Sequence, residues 1–208
     1  MSIELVTTNV KSIKCPYLFL SISMSSKQQH EVFHLATKKQ LQHIKDGLHR
    51  ISSQIWTCLG EESGNLYIRY DQYVEIFLVP KQLERHLRLI RDLKSIQHTG
   101  IYFGFLKGTE FQLSLEGAEY IFNTFFKTNK LRLKTVTTTI DGAKSFLYGN
   151  TLQTTDLSPS PESLNRKDVF FVLNPKSQFI GIGYVYKRDN RTELRNLVDY
   201  GYYIRRGY

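Results

Sequence analysis

Apolar residues recur at helical spacing in the first half of the chain. Thr37 and Gln40 have the Thr-x-x-Gln spacing of a capping box, in which each side chain accepts a hydrogen bond from a backbone N–H at the start of a helix. The apolar positions that follow at intervals of three and four residues are Leu41, Ile44, Leu48 and Ile51. This pattern predicts an amphipathic helix.

Alternating apolar and polar residues predict strands after this helix. Two such runs, 65–70 and 73–78, are separated by a short polar turn and indicate a hairpin. Pro80 fits the first turn of a following helix. The further predicted elements are strands over 101–106 and 111–115 and helices with apolar positions over 83–93 and 116–126. We therefore predict that residues 30–127 form one mixed α/β domain.

The sequence changes character from Lys130 onward, where β-branched and aromatic runs replace helical spacing. The predicted strands cover 131–139, 145–148, 169–173, 179–186 and 202–206. Short strands of this kind are typical of a small β-barrel, and the Ser-, Thr- and Pro-rich stretch 154–165 is predicted to be a loop within it. We therefore predict an α+β protein whose β-barrel domain spans 128–208. Residues 1–29 show no period that joins them to either domain, so we expect them to lie outside the fold.

The charge of the chain suggests a polyanionic partner. Its 208 residues include 28 Lys and Arg against 19 Asp and Glu, a net charge of +9. The excess is concentrated toward the end, with a net +3 over 1–127 and +6 over 128–208. Such a surface favours nucleic acid through counterion release, with a simply solvated basic surface as the alternative. Cys15 and Cys58 are too few for a disulfide framework, and no apolar run is long enough to span a membrane, so we expect an intracellular protein.

The sequence shows no constellation of residues for catalysis. His30 and His34 have the i,i+4 spacing of zinc ligands on a helix, but no third ligand completes a recognisable pattern. Gly181 and Gly183 resemble part of a nucleotide-binding fingerprint, but they lie in a predicted strand and are better explained by close packing. Phosphate loops, nucleophile elbows and closely spaced carboxylate pairs are absent from the sequence. We therefore predict no enzyme activity, no metal and no cofactor.

Basic residues after the Gly-x-Gly strand are the strongest candidates for binding. Four of them are spaced to cluster on one side of a turn or short helix, where they repel one another unless an anion lies among them. They are Lys187, Arg188, Arg191 and Arg195. Arg205 and Arg206 end the last predicted strand, and Lys144 is a further candidate. The alternative is a solvated edge whose charge is relieved by Asp189 and Glu193. Tyrosines near these cations would either stack on exposed bases or fill the barrel core.

One short motif carries a resemblance to a known family. Residues 144–150 read Lys-Ser-Phe-Leu-Tyr-Gly-Asn, and this segment resembles the Nip-seven family of large-subunit ribosome biogenesis factors. Other segments that resemble this family, in the same order along the chain, are 64–69, 73–80, 100–104, 111–115 and 199–205. The resemblance extends from about residue 33 to residue 206.

The resemblance implies an N-terminal α/β domain followed by a C-terminal PUA domain, which is an RNA-binding barrel. It implies a non-enzymatic factor that binds pre-ribosomal RNA in the nucleolus of the nucleus. Such a factor contacts pre-ribosome assembly proteins as a monomer within a larger particle, and not a membrane. In archaeal members the RNA-facing cations follow the Gly-x-Gly strand, where Lys187, Arg188 and Arg191 match them and Arg195 is a looser match. Two alternatives stay open: a protein-interaction adaptor with weak RNA affinity, and an accessory protein of RNA modification.

Overall fold

The computed structural model describes residues 20–22, 33–62, 64–84, 96–158, 165–188 and 191–205. Two helices, α1 (Lys38–His49) and α2 (Ser53–Glu62), belong to the N-terminal half. The strands of this half are β1 (Leu20–Ile22), β2 (His34–Leu35), β3 (Gly64–Tyr70), β4 (Val74–Pro80), β5 (Ile96–Thr99), β6 (Ile101–Lys107) and β7 (Glu110–Leu113). A third helix, α3 (Leu115–Ile121), continues as a π-helix over Phe122–Phe126.

Five of these strands form an antiparallel sheet in the order β2-β3-β4-β6-β7. Helices α1, α2 and α3 pack on one face of it, where the side chains of Ile44, Ile76 and Phe103 are fully buried. Helix α1 approaches β7 so closely that a Cβ atom at Gly47 would lie 2.6 Å from Cβ of Phe111. A glycine within this helix is therefore explained by its packing against the sheet.

The structure confirms the helix predicted after Thr37 and the predicted hairpin. The Thr37 hydroxyl accepts a hydrogen bond from the Gln40 N–H at 3.3 Å, and the Gln40 side chain accepts one from the Thr37 N–H at 2.9 Å. Strands β3 and β4 are paired from Gly64 to Tyr70. Helix α2 is an element that the sequence pattern did not predict. Residues 81–84 are helical after Pro80, as predicted, and the rest of that predicted helix lies outside the described residues.

One strand of the predicted N-terminal extension belongs to the fold. Strand β1 pairs antiparallel with β5, so that Leu20 lies opposite Thr99 and Ser21 opposite His98. The expectation that residues 1–29 lie outside the fold is therefore wrong at residues 20–22. A strand of three residues is too short to show a period in the sequence, and its pairing partner is a distant segment of the chain.

The C-terminal half is built on a second five-stranded sheet, a half-barrel with the strand order β8-β10-β11-β12-β9. Its strands are β8 (Thr135–Thr137), β9 (Leu152–Gln153), β10 (Val169–Leu173), β11 (Phe179–Arg188) and β12 (Arg191–Asp199). Its helices are α4 (Ile140–Leu147) and α5 (Gly201–Arg205). Strands β8 and β10 are parallel, and the other neighbours are antiparallel. The predicted α+β class is confirmed.

Three local predictions in this half are wrong. Residues 145–147 belong to helix α4 and Tyr148 is its C-cap, because the Thr139 hydroxyl caps the start of the helix by accepting a hydrogen bond from the Gly142 N–H at 3.0 Å. Residues 201–205 form helix α5 instead of a strand. Residues 191–195 lie in strand β12 instead of a turn or short helix. The strands predicted at 169–173 and 179–186 are confirmed.

Aromatic rings join the two halves in one hydrophobic core. Phe122 of the π-helix stacks with Phe171 of β10 and Phe179 of β11, with ring centroids 6.3 and 5.4 Å apart. The rings of Phe171 and Phe179 are 5.7 Å from each other, and Tyr200 packs edge-on against Phe179. We call Phe122, Phe171 and Phe179 the aromatic junction. Because these rings are buried, the two halves are held together by packing as well as by the chain.

Candidate nucleic-acid interface

The end of the β11–β12 hairpin carries most of the predicted cations. The strand register sets Arg188 opposite Arg191 and Lys187 opposite Thr192. Strand β10 is registered with β11 only as far as Tyr184, so β11 continues past the start of β10. The hairpin therefore extends beyond its neighbour and carries basic residues on both of its strands.

Lys187 and Arg191 are exposed at this end of the hairpin. Within the described ranges, neither side chain forms an ion pair. Arg188 belongs to β11, but its side chain lies outside the part of the chain that is described. Two cations in adjacent strands without a counter-ion are suited to an anionic ligand.

Two further cations lie beside this hairpin and were not predicted. The Lys167 N–H donates to the Val185 carbonyl at 2.9 Å, and the Val185 N–H donates to the Asp168 carbonyl at 2.8 Å. These hydrogen bonds place the exposed Arg166 and Lys167 alongside the end of β11. The Asp168 carboxylate is paired with Lys134, whose Nζ lies 2.7 Å away. We call Arg166, Lys167, Lys187 and Arg191 the basic end of the sheet.

Arg195 is engaged with side chains of its own hairpin. Its guanidinium carbon lies 3.4 Å from the centroid of the Tyr186 ring, and its Nε lies 3.7 Å from the Glu193 carboxylate. A hydrogen bond with Tyr184 raises the pKa of the Arg195 guanidinium above its ordinary value. Arg195 is therefore engaged by Tyr184, Tyr186 and Glu193, and its predicted contact with RNA stays a prediction.

Arg205 holds a buried carboxylate. Its two terminal nitrogens donate to the carboxylate oxygens of Asp199 at 3.0 and 2.9 Å, and one of them also donates to the Leu147 carbonyl. The Asp199 side chain is only 1% exposed, and its hydrogen bond raises the pKa of Arg205. Arg205 therefore links β12, α4 and α5, and its predicted contact with RNA stays a prediction. Arg206 lies outside the described residues.

Residues 134–208, which include the basic end, match a family model described as the UPF0113 PUA domain. The C-terminal half-barrel therefore matches a PUA domain, and we use the name PUA domain for residues 134–208 below. The match begins inside the barrel domain predicted for 128–208. No curated protein matches the chain.

Solved structures of archaeal proteins are similar to the chain over both of its halves. A hypothetical protein from the hyperthermophile Pyrococcus horikoshii OT3 is 11% identical with a TM-score of 0.52, and the alignment covers 81% of this chain and 94% of that chain. A conserved PUA domain protein from Thermoplasma acidophilum is 15% identical with a TM-score of 0.49, over 81% of this chain and 94% of that chain. The first similarity shows a common fold.

Lys144 lies on helix α4 of the PUA domain and not on the hairpin. Its Nζ is 3.4 Å from the Asp141 carboxylate, and both side chains are exposed. Phe146, two residues further on, is fully buried in a second core of the PUA domain together with Val172 and Val185. The motif at 144–150 is therefore structural at Phe146, while its ends face solvent.

The glycines of β11 serve close packing in the PUA domain. A Cβ atom at Gly181 would lie 2.3 Å from the Val198 carbonyl oxygen, and one at Gly183 would lie 2.9 Å from the Arg195 carbonyl oxygen. Because neither approach leaves room for a side chain, the predicted packing role of this pair is confirmed.

The described residues contain no group of three His, Cys, Asp or Glu side chains that could hold a metal ion. His34 lies in strand β2, and His30 lies outside the described part of the chain. No helix in the described ranges is long and apolar enough to cross a bilayer.

Proposed function

We propose that the protein is a non-enzymatic RNA-binding factor that assists assembly of the large ribosomal subunit. The observation that carries RNA binding is the basic end, which lies within the residues matched by the PUA domain model. Four exposed cations at one end of a sheet attract a polyphosphate backbone and release its counterions on binding. The resemblance of residues 144–150 to the Nip-seven family supports pre-ribosomal RNA as the ligand and the nucleolus as the location.

The arrangement of side chains favours recognition of RNA phosphates over recognition of bases. Arg195 covers one face of the Tyr186 ring, which leaves less of this ring for a base. Phosphate contacts position a protein on RNA without reading its sequence. We therefore expect little sequence preference at the basic end, with specificity supplied by other components of the particle.

A protein-interaction adaptor with weak RNA affinity is the second candidate. It is favoured by the contacts of Arg195 with Tyr186 and of Arg205 with Asp199, because a cation held within the protein is less available to RNA. The two candidates differ in the salt dependence of RNA binding, because only phosphate contacts give a steep slope.

The test removes the basic end with the changes Arg166→Ala, Lys167→Asn, Lys187→Ala and Arg191→Ala. Asn is chosen at position 167 because the backbone φ there is 70°, a conformation that Asn tolerates. Each lost phosphate contact should flatten the slope of log K against log salt by about 0.7 on single-stranded RNA, so the four changes together should flatten it by about 2.8.

A matched control variant removes four exposed lysines elsewhere, namely Lys39, Lys81, Lys107 and Lys176. It loses the same charge and should keep the wild-type slope to a first approximation, because distant exposed charges are screened. Far-UV circular dichroism checks that both variants fold. A wild-type slope near zero would support the adaptor, and equal slopes for the two variants would exclude the basic end as the RNA contact. Incubation with RNA should yield no modified nucleoside, as expected for a factor without enzyme activity.

A further inference from the structure

An apolar groove lies at the edge of the N-terminal sheet, far in sequence from the basic end. It encloses about 380 Å³. The side chains that line it from α1, α2 and the first strands are Leu35, Leu41, Trp56, Leu59, Asn65 and Leu66. Leu35, one of these residues, is 53% exposed, so part of the lining is open to solvent. We call this feature the Trp56 groove.

The lining of the Trp56 groove is suited to an apolar side chain. It is aliphatic apart from Trp56 and Asn65, and the Asn65 amide already donates to Glu84 at 2.9 Å. A nucleobase placed there would lose the hydrogen bonds of its polar edge to water without gaining partners, which costs free energy. An aliphatic or aromatic side chain has no polar edge to desolvate, and burial of its apolar surface would lower the free energy of the complex.

Helix α1 contributes positive charge beside the groove, while the Glu84 carboxylate next to the lining already accepts the hydrogen bond from Asn65. Lys38 lies three residues before the groove residue Leu41 and Lys45 lies four residues after it, so both lie on the same stripe of helix α1. The first turn of α1 contains no acidic residue. The positive end of the helix dipole therefore adds to the two lysines and favours carboxylates beside the groove.

We propose that the Trp56 groove binds an acidic segment of a protein partner, whose apolar side chain fills the groove. The carboxylates that flank this side chain pair with Lys38 and Lys45. The groove and the basic end lie on different sheets, so the peptide and the RNA would use separate surfaces.

The test uses the full chain and the fluorescence of Trp56, which is the only tryptophan in the sequence. The first probe is a twelve-residue synthetic peptide with two Leu and one Phe among Asp and Glu, and the second has the same apolar residues among Lys. The acidic peptide should shift the emission of Trp56 to shorter wavelength in a saturable way. The basic peptide should bind about tenfold or more weakly, because a difference of about 1.4 kcal/mol corresponds to a factor of ten.

Two variants and one control locate the site. Leu35→Asp places a charge at the groove and should weaken the acidic peptide at least tenfold, and the double change Lys38→Glu with Lys45→Glu should have a similar effect. Ile140→Asp changes a comparably exposed apolar residue, 65% against 53%, in the PUA domain and should leave peptide affinity unchanged.

Three results would overturn the proposal: no saturable response to the acidic peptide, equal affinity for both peptides, or equal loss in the Leu35 variant and the Ile140 control. An RNA oligomer that competes with the acidic peptide would instead assign the groove to nucleic acid. The variant that lacks the basic end should bind the peptide like wild type, so failure of RNA binding and failure of groove binding are distinguished.

Discussion

At the scale of single residues, the pair of Asp199 and Arg205 shows how a cation at the end of a basic chain can serve the fold. The carboxylate is almost completely buried, while 32% of the Arg205 side chain is exposed. A buried carboxylate is costly unless it is paired and hydrogen-bonded, and the two parallel hydrogen bonds from the guanidinium meet that need.

We predict that Arg205→Ala destabilises the protein by about 3 kcal/mol, the lower end of the range for a broken buried ion pair because Arg205 is partly exposed. Urea denaturation measures this change. Adding Asp199→Asn to the variant removes the unpaired charge and should recover part of the loss. If the variant keeps wild-type stability and its RNA affinity depends less steeply on salt concentration, Arg205 would instead be assigned to RNA binding.

The basic end shows what sequence spacing can and cannot predict about a site. Lys187 and Arg191 are close in sequence, so their proximity could be expected from the chain alone. Arg166 and Lys167 reach the same place only through the hydrogen bonds of Lys167 and Asp168 with Val185. The spacing of residues in the sequence does not predict this proximity, because it depends on which strands pair.

At the scale of secondary-structure elements, α4 and β12 explain most of the local errors. Residues 145–148 contain three apolar or aromatic side chains in a row, a run too short to distinguish a strand from a buried helix by its period. The Thr139 cap decides in favour of a helix, with Gly142, Ala143 and Phe146 on its buried face. Strand β12 was missed because polar and charged residues interrupt its alternation, although Leu194 is fully packed in the core. By contrast, α1 and the β3–β4 hairpin are long and regular, and they were predicted correctly.

The buried face of α4 gives a second stability prediction. Phe146→Ala should cost about 3 to 5 kcal/mol, because the ring is fully buried and its removal leaves a cavity. Tyr148→Ala is the matched control, since that side chain is 73% exposed and its loss should change stability by less than about 0.5 kcal/mol. Denaturation of both variants in urea tests the difference. Equal effects would mean that α4 does not pack as described.

At the scale of the whole molecule, the aromatic junction makes the two halves depend on each other. Phe122 belongs to the N-terminal half, and its stacking partners Phe171 and Phe179 belong to the PUA domain. Its ring is buried, so the two sheets share part of the same core. We expect the halves to unfold together.

We predict a single urea transition in which the fluorescence of Trp56 and the far-UV circular dichroism coincide, as two-state unfolding requires. Phe122→Ala should lower the free energy of unfolding by about 3 to 5 kcal/mol and shift both signals together. Lys127→Ala, a change near the same ring that removes only an exposed cation 5.4 Å from the Phe122 centroid, is the control. Two separate transitions in the wild-type protein would show that the halves are independent domains.

The aromatic junction also fixes the distance between the two proposed binding sites. The Trp56 groove and the basic end keep one separation and one relative orientation, because three packed rings hold their sheets together. A particle that holds an acidic peptide and an RNA strand at that separation could bind both sites at once and gain affinity by doing so. A particle that holds the two at another separation could engage only one of the sites at a time.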